Sequence, residues 1–360
     1  MKSVSRNEPL GIALIIVMIC ITALSILAAA LAYAMKVETK LAMNSNSETE
    51  LTWLGISGVE LARYVLAQQL NIPQEPYDSL NQKWAGGPGG WNSSNSVLTS
   101  ISLSDYPLGN GKFSVKITDM ERKANINMAD QRLLEQAFRL VGVDGGDFTA
   151  LASSIIDWVD ADDNTHLSGT ESDYYQSLDP PYFARNRPMD DLSDLLLIKG
   201  ITPDIFWGGV ATNHMSAAFQ AKQRMFGNNP GVVTYPVGLA DLFAPVSSGR
   251  ININTASPTV LQMLPFVDEA IAAEIIRVRS GPDGSDGTED DTPFRNVGEL
   301  INVPGINPQT IPQLQGLCDV RSRTFEAVVE AEIGGCRRQF KAMLGRNSTR
   351  DVQVLSFSWK

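Results

Sequence analysis

The residues best suited to chemistry in this sequence are the oxygen-bearing side chains of an acidic segment at residues 160–171. Their spacing matches the calcium loop of an EF-hand, whose ligands stand at loop positions 1, 3, 5, 7, 9 and 12. The side chains at positions 1, 3, 5, 9 and 12 are Asp160, Asp162, Asn164, Ser168 and Glu171, and position 7 offers the backbone carbonyl of His166. Because short oxygen ligands on alternate residues can converge on a hard cation, the spacing predicts a Ca²⁺ site.

One residue of this segment departs from the EF-hand template. Thr165 stands at position 6, where the template has glycine for a sharp turn. We therefore expect the loop to ligate differently and to use Asp163 or Asp173 as well. The alternative is a solvated acidic loop in which Asp157 caps or pairs locally. A second acidic stretch, at residues 283–291, follows no ligand template, and a solvated loop fits it equally well.

No residue pattern in the sequence indicates catalysis. His166 and His214 lie in polar contexts without a neighbouring nucleophile motif, and the glycines at 86–90 lack the Gly-Lys-Ser/Thr ending of a phosphate-binding loop. Carboxylates are too abundant for any one pair to suggest acid–base chemistry. We predict that the protein is not an enzyme.

The three cysteines bear on the compartment rather than on chemistry. Cys20 lies within an apolar run and is expected to be a small buried hydrophobe. Cys318 and Cys336 are candidates for a disulfide, which would be permitted outside the cytoplasm. Two unpaired thiols are the favoured alternative, because sequence spacing fixes no disulfide geometry.

The charge balance disfavours two classes of partner. The chain has 360 residues, with 29 basic and 40 acidic side chains and a net charge of −11 at pH 7. Such an excess of acid disfavours broad contact with nucleic-acid phosphates or with anionic lipid headgroups. The acidic residues concentrate at 157–173, 190–194 and 283–291.

The N-terminal region predicts one long helix. Residues 10–33 form a run of 24 residues without a charged side chain, which is longer than the ~20 residues that span a bilayer. A secretory signal peptide has a shorter apolar core of about 7–15 residues, so a membrane anchor is favoured over a cleaved signal. Apolar residues then recur at spacings of 3, 4 and 7 up to residue 70, and we expect a helix of about 60 residues, or roughly 90 Å.

The remaining elements predict a small sheet that is interrupted by an insertion. Residues 71–111 are expected to be loop, and residues 112–119 alternate apolar and polar side chains as a half-buried strand does. Residues 325–333 alternate in the same way. Gly334-Gly335 then predicts a hairpin turn, because such turns need positive φ. Further strands are expected at 337–344 and 351–359.

The insertion contains an internal duplication. Residues 123–134 (KANINMADQRLL) match residues 250–261 (RININTASPTVL), with an offset of 127 residues between Asn125 and Asn252. Helix-like stretches follow at 151–159 and 271–278, and each unit closes with a related phrase at 188–202 and 293–307. Three phrases in the same order in both halves predict two copies of one structural unit. These units resemble helix-hairpin-helix, or SAM-like, folds.

The N-terminus resembles the type IV pilin-like proteins, which have a short basic leader, a glycine and an apolar helix that becomes amphipathic. This resemblance implies cleavage by a prepilin peptidase between Gly11 and Ile12, and methylation of the new N-terminus. Most pilins carry glutamate at the fifth residue after the cut, where this chain has Ile16. Within the pilin-like superfamily, the missing glutamate and the order of all elements resemble the GspK family of minor pseudopilins in type II secretion.

The resemblance implies an α+β fold in which a long transmembrane and amphipathic N-terminal helix packs on a small antiparallel sheet, with a large inserted all-α domain. The expected segments are a leader (1–11), the helix (12–70, transmembrane at 10–33), the first part of the pilin-like domain (71–122), the insert (123–316, with repeats at about 123–203 and 250–308) and the terminal strands (317–360). The family also independently implies calcium near residues 160–173.

The function that the resemblance implies is that of a cap at the tip of the periplasmic pseudopilus, which drives export of folded proteins across the outer membrane. The expected partners are the minor pseudopilins GspI, GspJ and GspH, the prepilin peptidase and inner-membrane lipid, with the C-terminal bulk in the periplasm and no nucleic acid. Two alternatives stay open at this point. One is a tip subunit of a type IV pilus or competence pseudopilus, and the other is a membrane-tethered helix-hairpin-helix protein that binds DNA.

Overall fold

The computed structural model describes residues 10–89, 97–143, 146–209 and 235–359. Its first element, helix α1 (Leu10–Gln69), is 60 residues long. The described side chains from Leu14 to Leu41 are exposed, and this region is long and apolar enough to cross a membrane. Residues 1–9 of the predicted leader (1–11) lie outside the described residues, whereas the backbone of Gly11 and Ile12 lies in the first turn of α1.

The second half of α1 packs on a five-stranded antiparallel sheet. The strand order is β1-β2-β7-β8-β9. These strands are β1 (Tyr106–Leu108), β2 (Gly111–Asp119), β7 (Thr324–Ile333), β8 (Cys336–Ser348) and β9 (Asp351–Trp359). The predicted strands and the Gly334-Gly335 hairpin are confirmed. The expectation of a continuous loop at 71–111 is wrong at Tyr106–Leu108, because a three-residue strand that contains a proline is too short to show an alternating pattern.

Two glycines allow α1 to lie directly on the sheet. A Cβ atom at Gly55 would overlap the ring of Phe340, and one at Gly58 would overlap the side chain of Val329. Glycine in a helix interior costs about 1 kcal/mol relative to alanine, so close packing is the physical reason for both residues.

The insert leaves the sheet at the end of β2 and returns at the start of β7. Its helices are α2 (Gln131–Val141), α3 (Phe148–Val159), α4 (Ser172–Gln176), α5 (Pro203–Trp207), α6 (Leu239–Leu242), α7 (Pro258–Leu261), α8 (Glu269–Arg279) and α9 (Ile311–Leu317). Two-residue parallel strand pairs join β3 (Ala124–Asn125) to β4 (Phe243–Ala244), and β5 (Ile251–Asn252) to β6 (Cys318–Asp319). The insert is therefore predominantly helical but not all-α. The sequence does not predict these strand pairs, because two residues are too few to show an alternating pattern.

The second asparagine of each duplicated Asn-x-Asn motif forms hydrogen bonds that link the beginning of its unit to the end. In the first unit, the Asn127 amide donates to the carbonyl of Met189 (2.9 Å) and accepts from its backbone N–H (2.7 Å). In the second unit, Asn254 makes the same pair of bonds with Phe294, both at 2.9 Å. The repeat in sequence is thus a repeat in structure.

The insert and the sheet have separate cores. The insert core includes Phe138, Tyr175 and Phe243, whereas the core between α1 and the sheet includes Phe325 and Phe340. Each core is closed by large apolar side chains that are less than 2% exposed, and such burial is the main stabilising term in folding.

The suggested disulfide between Cys318 and Cys336 is wrong. Cys318 is buried in the insert core, and Cys336 begins β8 opposite Ile333. The ten residues of β7 separate them, which at about 3.4 Å per residue is far beyond the Cα separation that a disulfide allows.

Candidate metal centre

Helix α3 places one carboxylate, that of Asp157, beside buried apolar side chains. Its buried face includes Leu151, Ile155 and Trp158, and Asp157 lies among them with no exposed surface. A buried carboxylate requires hydrogen-bond donors or a cation. Asp157 therefore organises the loop that follows α3.

The loop folds back so that its backbone donates to Asp157. The N–H of His166 donates to Oδ1 (3.1 Å), the N–H of Thr170 donates to Oδ2 (2.6 Å), and His166 Nδ1 lies 2.5 Å from Oδ1. Gly169 is needed here, because a Cβ atom would overlap Asp157 Oδ2. The hydrogen bond that the His166 ring donates to Asp157 raises the pKa of His166.

Two further carboxylates contribute buried oxygen atoms without hydrogen-bond partners. Both carboxylate oxygens of Glu171 and the Oδ1 atom of Asp160 are buried, and none has a partner among the described residues. Burial, with a further contribution from the charges of Asp157, Asp160 and Asp163, raises the pKa of Glu171 to about 7. Burial also raises the pKa of Asp160, with the charges of Asp162 and Asp157 adding to the effect.

A second loop closes the site from the other side. Asp163 Oδ1 accepts from Asn186 Nδ2 (2.8 Å) and from Ser172 Oγ (3.1 Å). The remaining amide oxygen of Asn186 is buried and has no partner among the described residues. Asn186 itself has a positive φ of 47°, and Ser168 in the first loop has a φ of 68°. Both are sparsely populated conformations, which concentrate at functional sites.

The structure separates the predicted ligands into two groups. Asp160 lies beside Asp157, and the charges of Asp157, Asp160 and Asp163 all act on Glu171, whereas Asp162 and Asn164 are exposed. The backbone N–H of Asn164 donates to Asp162 Oδ1 at 2.8 Å, as in an Asx turn. Ser168 is also exposed, and Asp173 lies exposed in the first turn of α4. His214 lies outside the described residues.

The gathered donors fit a hard divalent cation. Ligand atoms of Asp157, Asp160 and His166 all lie within 4.8 Å of one another. The atoms that lack partners are carboxylate and amide oxygens, which are the ligands that Ca²⁺ prefers. A bound cation would also relieve the repulsion between the clustered carboxylates.

The spacing in the sequence does not predict two residues of this candidate centre, Asp157 and Asn186. Asp157 was considered only for local capping or pairing, although a single acid inside an apolar helix is a signal that it is held by something specific. Asn186 lies 23 residues from Asp163, and its approach depends on the path of the chain after α4. No local spacing could have revealed it.

Carboxylates of the second acidic stretch are bound by groups of the protein itself. Arg279 is 3% exposed, and its Nε and Nη2 atoms donate to the two oxygens of Asp286 at 3.0 and 2.6 Å. Asp291 accepts from the N–H of Gly287 (2.8 Å) and from Thr288 Oγ1 (3.2 Å). Since these carboxylates already have partners, the stretch at 283–291 shows no comparable demand for a cation.

Two family models match the insert and its junction with the sheet. Residues 111–207 match the model described as type II secretion system protein K, and residues 246–318 match a helix-hairpin-helix motif. The second match agrees with the duplicated units that the sequence indicates.

Curated relatives extend the likeness over the whole chain. A type II secretion system protein K from Aeromonas hydrophila is 23% identical over 96% of this chain and 95% of the relative. Its counterpart from Pseudomonas aeruginosa is 24% identical over 98% of this chain and 93% of the relative. The chain is thus similar to type II secretion system protein K over nearly its whole length. The resemblance seen in the sequence is thereby confirmed.

A solved structure shows that the fold is shared with this family. The GspK-GspI-GspJ complex from enterotoxigenic Escherichia coli contains a chain that matches with a TM-score of 0.61 at 18% identity. The match covers 89% of this chain and 99% of the other. The predicted fold class, α+β with a long N-terminal helix on an antiparallel sheet, is confirmed.

Proposed function

We propose that this chain caps the tip of the periplasmic pseudopilus. The likeness to type II secretion system protein K supports a minor pseudopilin of the type II secretion system. The capping role depends on where the insert lies relative to the membrane-spanning part of α1.

The insert lies at the end of the sheet that is far from the apolar part of α1. Along α1, Leu54 lies near Gly111 at the start of β2, whereas the Leu66 carbonyl accepts from Arg346, and Arg346 binds the segment that enters β7. The chain enters the insert after Asp119, at that distant end. This is the observation that carries the proposal, because a subunit with a bulky head opposite its anchor obstructs addition above it.

The length of the pseudopilus tests this role. Asp119 and Phe325 are paired neighbours on β2 and β7, so residues 123–316 can be replaced by a short linker. We expect cells with this variant to form longer pseudopili than cells with the full chain when the major subunit is overproduced. Equal lengths, or full-length protein labelled along the filament rather than at one end, would contradict the proposal.

The proposed partners are other minor pseudopilins. The family relative of known structure is in a complex with GspI and GspJ, and we extend this to the cognate GspI, GspJ and GspH. The exposed apolar helix must remain in lipid or be covered by other helices. Copurification of the full chain with these partners from detergent-solubilised membranes is expected. A chain that stays alone in their presence would contradict it.

Membrane placement and processing form a further part of the proposal. The chain is placed in the inner membrane with residues after α1's apolar part in the periplasm, and a prepilin peptidase cuts between Gly11 and Ile12. Intact mass measurement of the chain from cells with and without the peptidase is the test. The expected product begins at a methylated Ile12, and an uncut chain in both strains would contradict it.

We also propose that the centre around Asp157 holds a structural Ca²⁺ ion. The supporting observation is the set of buried oxygens without partners on Glu171, Asp160 and Asn186. The ion would join the loop after α3 to the loop that carries Asn186 and so stiffen the first unit of the head. It would have no catalytic role, in keeping with a structural component of secretion.

DNA binding is the second candidate, since one family model is a helix-hairpin-helix motif. Residues 123–316 contain 25 acidic and 12 basic residues, whereas phosphate contact requires clustered Lys and Arg. Fluorescence anisotropy with labelled duplex DNA at low salt is the test. Saturable binding by the full chain would favour this candidate over the cap.

A further inference from the structure

The junction between the insert and the sheet contains three buried carboxylates and one buried cation. Asp78, Asp119 and Glu121 are each 2% exposed or less, and Arg346 is 3% exposed. Arg346 pairs with Asp78 and lies over the ring of Phe325, 4.6 Å from its centre. Among the described residues, neither Asp119 nor Glu121 therefore has a cationic partner in this junction.

Asp119 is the member of this cluster that binds all sides of the junction. It is the last residue of β2, and its Oδ1 atom accepts from the N–H of Glu121 at 2.8 Å. Its Oδ2 atom accepts from Ser322 Oγ (2.7 Å), just before β7, and from Thr255 Oγ1 (2.5 Å) and Asn252 Nδ2 (3.2 Å) in the second unit of the insert. A single carboxyl group thus joins the point of exit, the point of return and the inserted domain.

Glu121 reinforces the same contact through backbone groups. Its Oε1 atom accepts from the N–H of Ser248 (2.9 Å) in the insert, and Oε2 accepts from the N–H groups of Arg323 (3.2 Å) and Thr324 (3.0 Å) at the sheet. Its carbonyl accepts from the N–H of Asn252 (2.8 Å). The four amides therefore report directly on whether the junction is closed.

The charged groups around Asp119 can be named element by element. Asp78 faces it from the segment after α1, Glu121 from the segment after β2, and Arg346 stands behind Asp78 on β8. The second unit contributes only the uncharged Asn252 and Thr255. Two anions and one cation that is already paired surround the group, so its own negative charge is disfavoured.

We propose that Asp119 is a proton-sensitive pin that holds the insert on the sheet, and that loss of its proton in alkaline solution loosens this junction. The hydroxyl of Thr255 can donate to the ionised carboxylate or accept from the protonated one, so the same contacts serve the closed state in either form. This inference concerns the fold itself and does not depend on the capping role.

The direction of the pH dependence follows from the surroundings of Asp119. Burial and the charges of Glu121 and Asp78 raise its pKa, the hydrogen bonds from Thr255 and Ser322 lower it, and the net result is a pKa of about 8. Since the pKa in the folded state is above the ordinary value of 3.8, the folded state binds the proton more tightly. The stabilisation is fully present below about pH 4 and is lost as the pH rises through about 8.

Urea unfolding of the full chain in detergent, from pH 5 to pH 9.5, tests the pin. We expect the free energy of unfolding to fall toward alkaline pH, and to fall less in Asp119→Asn, which carries no titratable group at this position. Glu289→Gln, at an exposed position of the insert, is the matched control and should keep the original profile. An Asp119→Asn profile parallel to that of the original chain would overturn the proposal.

A second variant keeps the test decisive if Asp119→Asn does not fold. Ser322 Oγ accepts from Asn252 Nδ2 (2.8 Å), so its own proton must go to Asp119. Ser322→Ala removes this donor from the ionised form, and the alkaline loss of stability should move to higher pH by about one unit. A midpoint that stays in place would contradict the proposal.

Hydrogen exchange shows where the loosening occurs. Protection of the Ser248, Asn252, Arg323 and Thr324 amides, corrected for the intrinsic pH dependence of exchange, should fall between pH 6 and pH 9. Amides in the middle of β7 and β8 should keep their protection. Uniform loss across the chain, or unchanged protection at the four amides, would overturn the assignment of the pin to this junction.

Discussion

The two units of the insert handle the same problem in different ways. In each, a helix ends in an acidic loop: α3 leads into residues 160–171, and α8 leads into residues 283–291. Counted from the paired isoleucines at 155–156 and 275–276, Val159 stands where the second unit has Arg279. One unit therefore contains a buried guanidinium beside its carboxylates, and the other does not.

The consequence is visible in the hydrogen bonds. Arg279 binds Asp286 with two nitrogen atoms and donates through Nη1 to the carbonyls of Ile253 and Ala256, both at 2.8 Å. In the first unit, Glu171 and Asp160 have buried oxygens without such a partner. The difference teaches that a duplicated scaffold can neutralise an acidic loop with its own side chain or depend on an external cation.

Removing the internal cation should have the largest effect. Arg279→Met would leave Asp286 without its partner, and we expect a loss of about 3 kcal/mol in the free energy of unfolding. Urea denaturation of the full chain in detergent measures it. Arg277→Met removes an exposed pair with Glu274 on the same helix and should cost less than about 0.5 kcal/mol. Equal losses for the two variants would mean that the buried pair does not stabilise the second unit.

The next prediction compares the stability lost when the linking asparagine of each unit is truncated. Asn254 is 2% exposed and Asn127 is half-buried, so the same truncation leaves a more deeply buried N–H and carbonyl in the second unit. We expect Asn254→Ala to cost about 2 kcal/mol and Asn127→Ala about 1 kcal/mol. Asn71→Ala, at an exposed site after α1, serves as the control in the same denaturation series. A larger loss at Asn127 than at Asn254 would contradict this ranking.

A third prediction concerns Ca²⁺ affinity rather than stability, and it tests the packing of Gly169 against Asp157 beneath the first loop. A Cβ atom in Gly169→Ala would displace the Asp157 carboxylate, and we expect Ca²⁺ affinity to fall by about tenfold, equivalent to about 1.4 kcal/mol. Gly316→Ala, in α9, has open space around its Cβ position and should leave affinity unchanged. Calorimetric titration with Ca²⁺ measures the affinity of both variants. An unaltered affinity in Gly169→Ala would remove Asp157 from the ligand set.

The sequence predicted the fold where a local pattern repeats along one element. Alternation identified β2 and β7, and the duplicated Asn-x-Asn phrases identified two structural units. It did not reveal Tyr106–Leu108 as a strand, because three residues contain no period. It gave Gly55 and Gly58 no role, since their importance depends on Phe340 and Val329 from a distant part of the chain.

The candidate metal centre was predicted only in part for the same reason. The EF-hand spacing selects the loop in which Asp160 and Glu171 have buried oxygens without partners among the described residues, and Thr165 in place of the glycine predicts a departure from the template. Asp157 and Asn186 come from the preceding helix and from a later loop. Their approach is set by packing of the whole unit rather than by spacing within twelve residues.

Calcium titration of the full chain in detergent by isothermal calorimetry tests the comparison most directly. We predict one class of binding that is abolished in Glu171→Gln and kept in Asp286→Asn. Among the described residues, the acidic loop of the second unit has a buried guanidinium bound to a carboxylate, whereas Glu171 and Asp160 in the first loop have buried oxygens without a partner. The original chain should also gain about 2.7 kcal/mol in free energy of unfolding at a hundredfold excess of Ca²⁺ over Kd. Absence of Ca²⁺ binding, or binding that is lost in Asp286→Asn and kept in Glu171→Gln, would contradict the account.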